Sequence, residues 1–156
     1  MMERDKASDL KEFGVKGHFP QKERYSCIPA SVRTVIYKKF NKFISEYYIR
    51  KLLEMNNKRG GTTLKNLIKL EELGYKAECK RMQINDILQE DLPVICFINR
   101  DWGDTTSNHA VAIDKIDENK ITILNPGHCT EKYGKDIFDI LHAGGSKVVI
   151  YISKIS

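Results

Sequence analysis

The segment QKERYSCIPASVRTVIY, from Gln21 to Tyr37, decides how this chain folds. After Cys27 the apolar residues recur at the three- and four-residue spacing of one helix face. This spacing predicts a helix over about residues 27–40, with Cys27 in or just before its first turn. Asn41 is the predicted exit, because asparagine tolerates the left-handed conformation that ends helices.

A cysteine at the start of a helix has a special electrostatic environment. The N–H groups exposed there favour an anion, and the thiolate is the nucleophilic form of cysteine. Such a placement can lower the pKa of Cys27 from about 8.5 into the range of roughly 3.5–7.5. The alternative is packing in the core, since free cysteines are among the most frequently buried residues.

The composition predicts a single domain. A chain of 156 residues buries about two-thirds of its unfolded surface. We predict one domain over residues 20–156, preceded by an N-terminal arm of residues 1–19 in which no hydrophobic period is visible. The chain has no apolar run long enough for a membrane span, and its charged N-terminus lacks the core of a signal peptide, so a cytoplasmic protein is expected.

Charge and cysteine spacing argue against two classes of site. The net charge of +5 comes from scattered lysine and arginine without a basic stripe, so no nucleic-acid partner is predicted. The four cysteines show no CxxC spacing, which argues against a zinc site and a disulfide framework. Two of them, Cys79 and Cys96, lie in predicted strands and are expected in the core.

Two more helices are predicted before any strand. Ser45 caps one that runs to about Met55, and Thr62 or Thr63 caps the next, which Gly74 ends. Four apolar residues are predicted to share one buried face of that third helix: Leu64, Leu67, Ile68 and Leu70.

Strands dominate the rest of the chain. HAVAIDKI and KITILNP, joined by the polar turn DEN, predict a β-hairpin. Two short helices are expected in INDILQED and DIFDILHAGG, and three further strands in YKAECKRM, LPVICFIN and KVVIYISKI. Helices followed by an antiparallel sheet indicate an α+β fold.

Four residues suggest a common chemistry. Cysteine needs a base, which His109 at the head of NHAVAI could supply from the start of a strand. The second nitrogen of that histidine needs an acceptor such as the amide oxygen of Asn125, on the partner strand of the hairpin. An N–H of Gln21, with the backbone N–H of Cys27, could bind an oxyanion. Taken singly, each has an ordinary structural explanation: a buried histidine, an Asn-Pro turn or an exposed loop.

The order and spacing of these four residues resemble papain-like cysteine peptidases, and most closely the bacteriocin-leader, or double-glycine, peptidases. The resemblance covers about residues 20–152. It implies a papain-like fold, with the nucleophile at the start of a central helix packed on a C-terminal antiparallel sheet. It also implies a catalytic set of Cys27, His109, Asn125 and Gln21.

Two features depart from the family pattern. Ser26 and Ile28 flank the cysteine where Asp and Gly are common, and Asn125 stands where Asp is more frequent. Ile28 is therefore expected to narrow the substrate cleft. Two residues of the loop NRDWGDTTSN before the histidine, Asp101 and Trp102, are further candidates for substrate contact.

Other candidates are weaker. His18 lies on the arm, with no strand to orient it. His128 and Cys129 are neighbours in the loop PGHCTEKYG, which is expected to be exposed, and adjacent side chains diverge. A metal or redox site there is therefore disfavoured.

Three functions remain open at this level. The first is hydrolysis of a peptide bond through a thioester, with no metal or cofactor, acting on a peptide or protein substrate and associating with a separate export transporter. The second uses the same residues to pass the acyl group to an amine, as in transglutaminase-like enzymes. The third is a peptide-binding module without catalysis.

Overall fold

The helix that begins at Cys27 is the centre of the fold. The computed structural model describes residues 17–22, 26–54, 64–98, 109–127, 130–136, 138, 142 and 147–155. Helix α1 (Cys27–Phe40) buries the apolar side chains that predicted it. It ends at Asn41, whose φ of 54° is left-handed and whose N–H donates to the Tyr37 carbonyl. The predicted helix and its exit are confirmed.

Helix α2 (Glu46–Leu52) packs beside α1. The Ser45 side chain accepts a hydrogen bond from the Tyr48 N–H at 3.1 Å, so the predicted cap is confirmed. The helix ends at Leu52, whereas the sequence predicted a continuation to Met55, which lies outside the described residues.

The third helix is a 3₁₀ helix, Leu64–Leu73. Leu67 and Leu70 are buried as predicted, but Ile68 is 66% exposed. The expectation for Ile68 was wrong because a 3₁₀ helix has three residues per turn, so only every third residue returns to the same face. Gly74 follows with φ +89°, a conformation that suits glycine.

Six strands form one antiparallel sheet in the order β1-β6-β2-β3-β4-β5. They are β1 (Tyr75–Arg81), β2 (Val94–Ile98), β3 (His109–Ile116), β4 (Lys120–Leu124), β5 (Thr130–Gly134) and β6 (Val148–Lys154). The predicted β3–β4 hairpin is confirmed by the pairing of Ile113 with Ile123. Helices on an antiparallel sheet confirm the α+β class.

Two local predictions were wrong. The segment INDILQED forms two short 3₁₀ turns, Ile84–Asp86 and Gln89–Asp91, because extended backbone at Ile87 and Leu88 separates them. The second half of the expected loop PGHCTEKYG is strand β5. It has little apolar character because it is an edge strand, held by its backbone pairing with β4.

The core lies on both faces of the sheet. One cluster packs α1, α2 and the 3₁₀ helix on the first face, and the other covers the opposite face around Phe138. Cys96 is buried as expected, whereas Cys79 is exposed because it lies on the edge strand β1. Both thiols are free.

The segment after β5 is helical at residues 135, 136, 138 and 142, in agreement with the helix predicted for DIFDILHAGG. Of the helices in the described ranges, none combines the length and the apolar character needed to cross a membrane.

Candidate active site

The Cys27 thiol lies between the start of α1 and the start of β3. The backbone N–H groups of Ala110, Ile28 and Cys27 itself act on the sulfur and lower its pKa. The Ser31 hydroxyl, one turn along the helix, donates to the Ala110 carbonyl at 3.3 Å. These contacts fix α1 against β3, so the thiol faces the strand that begins at His109.

The electrostatics of this thiol differ from the sequence-based expectation. Burial raises the pKa of Cys27 above its ordinary value, and the negative charge of Glu46 raises the pKa further. The backbone hydrogen bonds act in the opposite direction but are outweighed. The expected lowering of the pKa at the helix start was therefore wrong, because desolvation exceeds the effect of the helix terminus. At neutral pH the sulfur carries its proton.

His109 and Asn125 are in direct contact across the hairpin. The distance between His109 Nε2 and Asn125 Oδ1 is 2.6 Å. Asn125 follows the last residue of β4 and is fully buried, while His109 is half-buried. Because the amide oxygen only accepts, Nε2 carries the proton and donates it, which leaves Nδ1 as the basic nitrogen of the neutral ring.

Gln21 lies against the same histidine. Its backbone N–H donates to the Pro126 carbonyl at 2.8 Å, which ties the segment before α1 to the turn after β4. A Cβ placed on Gly127 would lie 3.3 Å from Gln21 Oε1 and 3.3 Å from His109 Cε1. The glutamine side chain, the imidazole and this glycine therefore share a small volume.

Comparison with known proteins identifies the family of this chain. The model of the peptidase C39 family matches residues 16–154. The chain belongs to the peptidase C39 family. The resemblance inferred from the four residues is thus confirmed at the level of the family.

Relatives of this C39 family member cover most of its length. An uncharacterized protein of Methanothermobacter marburgensis is 29% identical over 143 residues, which are 90% of this chain and 94% of the relative. The peptidase domain of Streptococcus ComA, a bifunctional ABC transporter, superposes with a TM-score of 0.70 at 20% identity, over 87% of this chain and 96% of that domain.

A double-glycine motif protease from an AMS/PCAT transporter, solved with its leader peptide, gives a TM-score of 0.66 at 19% identity, over 87% of this chain and 89% of that one. A C39-like peptidase from Bacillus anthracis gives 0.65 at 14% identity, over 96% and 97%. At these identities the structural likeness establishes the fold.

A buried acid that was not predicted from the sequence supports the start of α1 in this C39 family member. Glu46, in the first turn of α2, has no exposed surface. Its two oxygens accept from the Lys22 N–H at 3.0 and 3.2 Å, it also takes a hydrogen bond from the Ser26 hydroxyl, and it forms an ion pair with Arg50 Nε at 3.3 Å. Glu46 thereby joins the residue after Gln21 to the residue before Cys27. An acid four residues before an arginine is typical of an exposed helix pair, so the burial of Glu46 could not be predicted.

Burial raises the pKa of Glu46, and the hydrogen bonds and the charges of Arg50 and Arg33 oppose that rise. Arg33 is itself buried on α1, with its guanidinium 4.0 Å from the centre of the Phe19 ring and 5.0 Å from that of Phe43. The described end of the N-terminal arm therefore packs into the domain through an aromatic and cationic layer.

His18 was also misjudged. It is fully buried, with Nε2 2.9 Å from the Asn125 carbonyl oxygen and Nδ1 2.9 Å from the Thr130 hydroxyl. Burial lowers its pKa, so the ring is neutral. Instead of lying on an unsupported arm, His18 holds the backbone of Asn125. Sequence alone gave no signal, because its partners lie more than 100 residues away.

Glu131 completes the surroundings of Asn125. Asn125 Nδ2 donates to Glu131 Oε1 at 2.7 Å, and the Tyr133 hydroxyl donates to Glu131 Oε2 at 2.8 Å. Both residues were missed because TEKYG was assigned to a loop. A strand would have placed Glu131 and Tyr133 on the same face.

The remaining sequence candidates divide into two groups. Ile28 is 7% exposed and belongs to the hydrophobic core on the α1 face, and its role beside the substrate cleft stays a prediction. Asp101, Trp102, His128 and Cys129 lie outside the described residues. Within the described ranges, no group of three or more His, Cys, Asp or Glu side chains is arranged to hold a metal ion.

Proposed function

We propose that this chain is a cysteine peptidase that hydrolyses a peptide bond through a thioester on Cys27. The observation that carries this proposal is the 2.6 Å contact between His109 Nε2 and Asn125 Oδ1, formed beside the helix start that holds the thiol. Membership of the peptidase C39 family supports it. Residues 20–156 are proposed to act as one peptidase domain, in keeping with the match over residues 16–154.

The first half of the reaction forms the thioester. Because the Cys27 sulfur is protonated at rest, His109 Nδ1 takes its proton as the sulfur attacks the substrate carbonyl carbon. The carbonyl oxygen becomes an oxyanion, which the Gln21 side-chain N–H and the Cys27 backbone N–H stabilise. The imidazolium then gives its proton to the departing amine nitrogen, and the C–N bond breaks.

The second half restores the enzyme. His109 takes a proton from water, whose oxygen attacks the thioester carbon. The collapse of this second intermediate breaks the C–S bond, and the sulfur regains its proton while the acid product leaves. Throughout, Asn125 keeps the imidazole in the Nε2–H tautomer, so that Nδ1 faces the reacting atoms.

The proposed substrate is a leader peptide cleaved after two glycines. The support is the described relative that is a double-glycine motif protease bound to a leader peptide. Two of the structural relatives are parts of transporters, so a peptide cargo and a separate export transporter are the proposed partners.

The test measures cleavage of synthetic peptides by mass spectrometry. One peptide carries Gly-Gly before the scissile bond and its matched control carries Ala-Ala. The Cys27→Ala variant is expected to lose turnover while keeping its circular dichroism spectrum. Cys79→Ala removes an exposed thiol from the edge strand β1 and is the matched control. It is expected to keep the turnover of the parent.

The outcomes separate the possible functions. Cleavage that survives Cys27→Ala would refute the proposal. Incorporation of a labelled amine at the new carboxyl end, in place of water, would assign acyl transfer instead of hydrolysis. Binding of either peptide without any product would assign a peptide-binding module.

A further inference from the structure

The side-chain amide of Asn125 is contacted at both ends. Its oxygen accepts from His109 Nε2 at 2.6 Å and from the Gly127 backbone N–H at 2.9 Å. Its nitrogen donates to Glu131 Oε1 at 2.7 Å. Asn125 has no exposed surface, so its amide is fixed by protein groups alone.

Orientation matters because the two ends of an amide have nearly the same shape and opposite hydrogen-bonding character. Turned by 180°, Asn125 would present its NH₂ group to His109. The ring would then have to accept through Nε2, and its proton would move to Nδ1, the nitrogen that must take the proton of Cys27. The reversed amide would therefore hold the histidine in the unproductive tautomer.

Glu131 is the residue that distinguishes the two orientations most strongly. A carboxylate has acceptors only, so it can face the Asn125 nitrogen but not its oxygen. The second Glu131 oxygen takes the Tyr133 hydroxyl at 2.8 Å, which holds the carboxylate in place on strand β5. Backbone pairing of Glu131 with Ile123 fixes the strand itself.

We propose that Glu131 is a positioning residue, which sets the orientation of the Asn125 amide and thereby the tautomer of His109. This inference rests on the proposed function, because it assigns Asn125 and His109 to the same catalytic set. Glu131 does not touch the reacting atoms; it acts through Asn125.

The decisive variant is Glu131→Gln, which keeps the size and shape of the side chain. Glutamine offers both a donor and an acceptor, so it can form a hydrogen bond with the Asn125 amide in either orientation. Its kcat is expected to fall about tenfold with KM little changed, since a hydrogen bond to a charged group is lost. Glu71→Gln removes the same charge from an exposed site on the 3₁₀ helix and is the matched control. It is expected to match the parent.

The rescue variant is N125D/E131Q. A carboxylate at position 125 has an acceptor at both ends, so it has no wrong orientation, and the glutamine at position 131 can donate to it. Its kcat is expected to exceed that of Glu131→Gln and approach that of the parent. Equal loss in both variants would mean that Glu131 only supports the strand, and would overturn the proposal.

A spectroscopic readout keeps this test independent of turnover. The ¹⁵N chemical shifts of His109, measured in the parent and in Glu131→Gln, report which ring nitrogen carries the proton. The parent is expected to show Nε2–H and the variant a mixture with Nδ1–H. An unchanged tautomer would overturn the inference even if the enzyme cleaves peptides. A changed tautomer in a protein without turnover would sustain it while the proposed peptidase function failed.

Discussion

The two sides of the candidate site are supported in different ways. On the nucleophile side, Glu46 joins Lys22 to Ser26 from α2. The Pro126 and Ala110 carbonyls hold Gln21 and α1, so the support is spread over several segments. On the base side, Asn125 is held by His18, Gly127 and Glu131 together. On the base side the support therefore converges on one residue, Asn125.

The largest expected effect on kcat comes from replacing Asn125, the residue that the other base-side groups contact. Asn125→Ala should lower kcat about 100-fold, because His109 loses the acceptor that selects its tautomer. The rate of peptide cleavage, followed by mass spectrometry, gives kcat for the variant and the parent. Asn119→Ala, in the exposed turn between β3 and β4, is the matched control and should match the parent. Equal activity in the two variants would remove Asn125 from the mechanism.

The next effect comes from Glu46, the buried acid of the nucleophile side. Glu46→Gln should reduce the free energy of unfolding by about 2 kcal/mol, because one acceptor replaces two where Lys22 and Ser26 donate, and because the ion pair with Arg50 is lost. Urea denaturation at pH 7 measures it. Glu71→Gln should change stability by less than about 0.5 kcal/mol. A loss from Glu46→Gln as small as this would show that Glu46 contributes little to holding the nucleophile side.

His18, one of the groups that hold Asn125, makes the stability of the protein depend on pH. Because burial lowers the pKa of His18, its contribution to stability is complete above the ordinary value of about 6.5 and decreases as the pH falls towards the folded pKa. In that window the parent should lose at most about 1.4 kcal/mol per pH unit from this group. In His18→Asn the slope should be smaller by that amount. Equal slopes in urea titrations between pH 5 and 7 would contradict a buried neutral His18.

The smallest expected effect concerns the reactivity of the thiol. Since the charge of Glu46 raises the pKa of Cys27, Glu46→Gln should lower that pKa and speed alkylation by iodoacetamide about two- to threefold at pH 7.5. Peptide mapping of the same sample gives the alkylation of Cys79, which serves as the internal control. A slower reaction at Cys27 would mean that the charge of Glu46 does not raise the pKa of this thiol.

The sequence predicted the parts of the fold that local patterns encode. Helix α1, its exit at Asn41, the cap at Ser45 and the β3–β4 hairpin followed from spacing and turn chemistry. Strand β5 did not, because an edge strand with one exposed face carries little apolar signal. Ile68 was misassigned because the helix around it has three residues per turn, not 3.6.

The candidate site also has features that local sequence patterns predict and features that they do not. The contact of His109 with Asn125 was predictable, since a hairpin brings its strands together. The burial of Glu46 and His18 was not, because each depends on partners from distant segments. The pKa of Cys27 was predicted in the wrong direction, since the helix start is visible in the sequence and the desolvation of the thiol is not.

The hydrogen bond from His18 to Asn125 joins residues that are 107 positions apart. During synthesis at roughly 5–20 residues per second, the ribosome therefore adds Asn125 about 5 to 20 seconds after His18. Until Asn125 is made, the proposed catalytic set lacks the acceptor that selects the tautomer of His109, although Cys27 is already part of the growing chain. The order of synthesis therefore makes the nucleophile early and completes its proposed partners late.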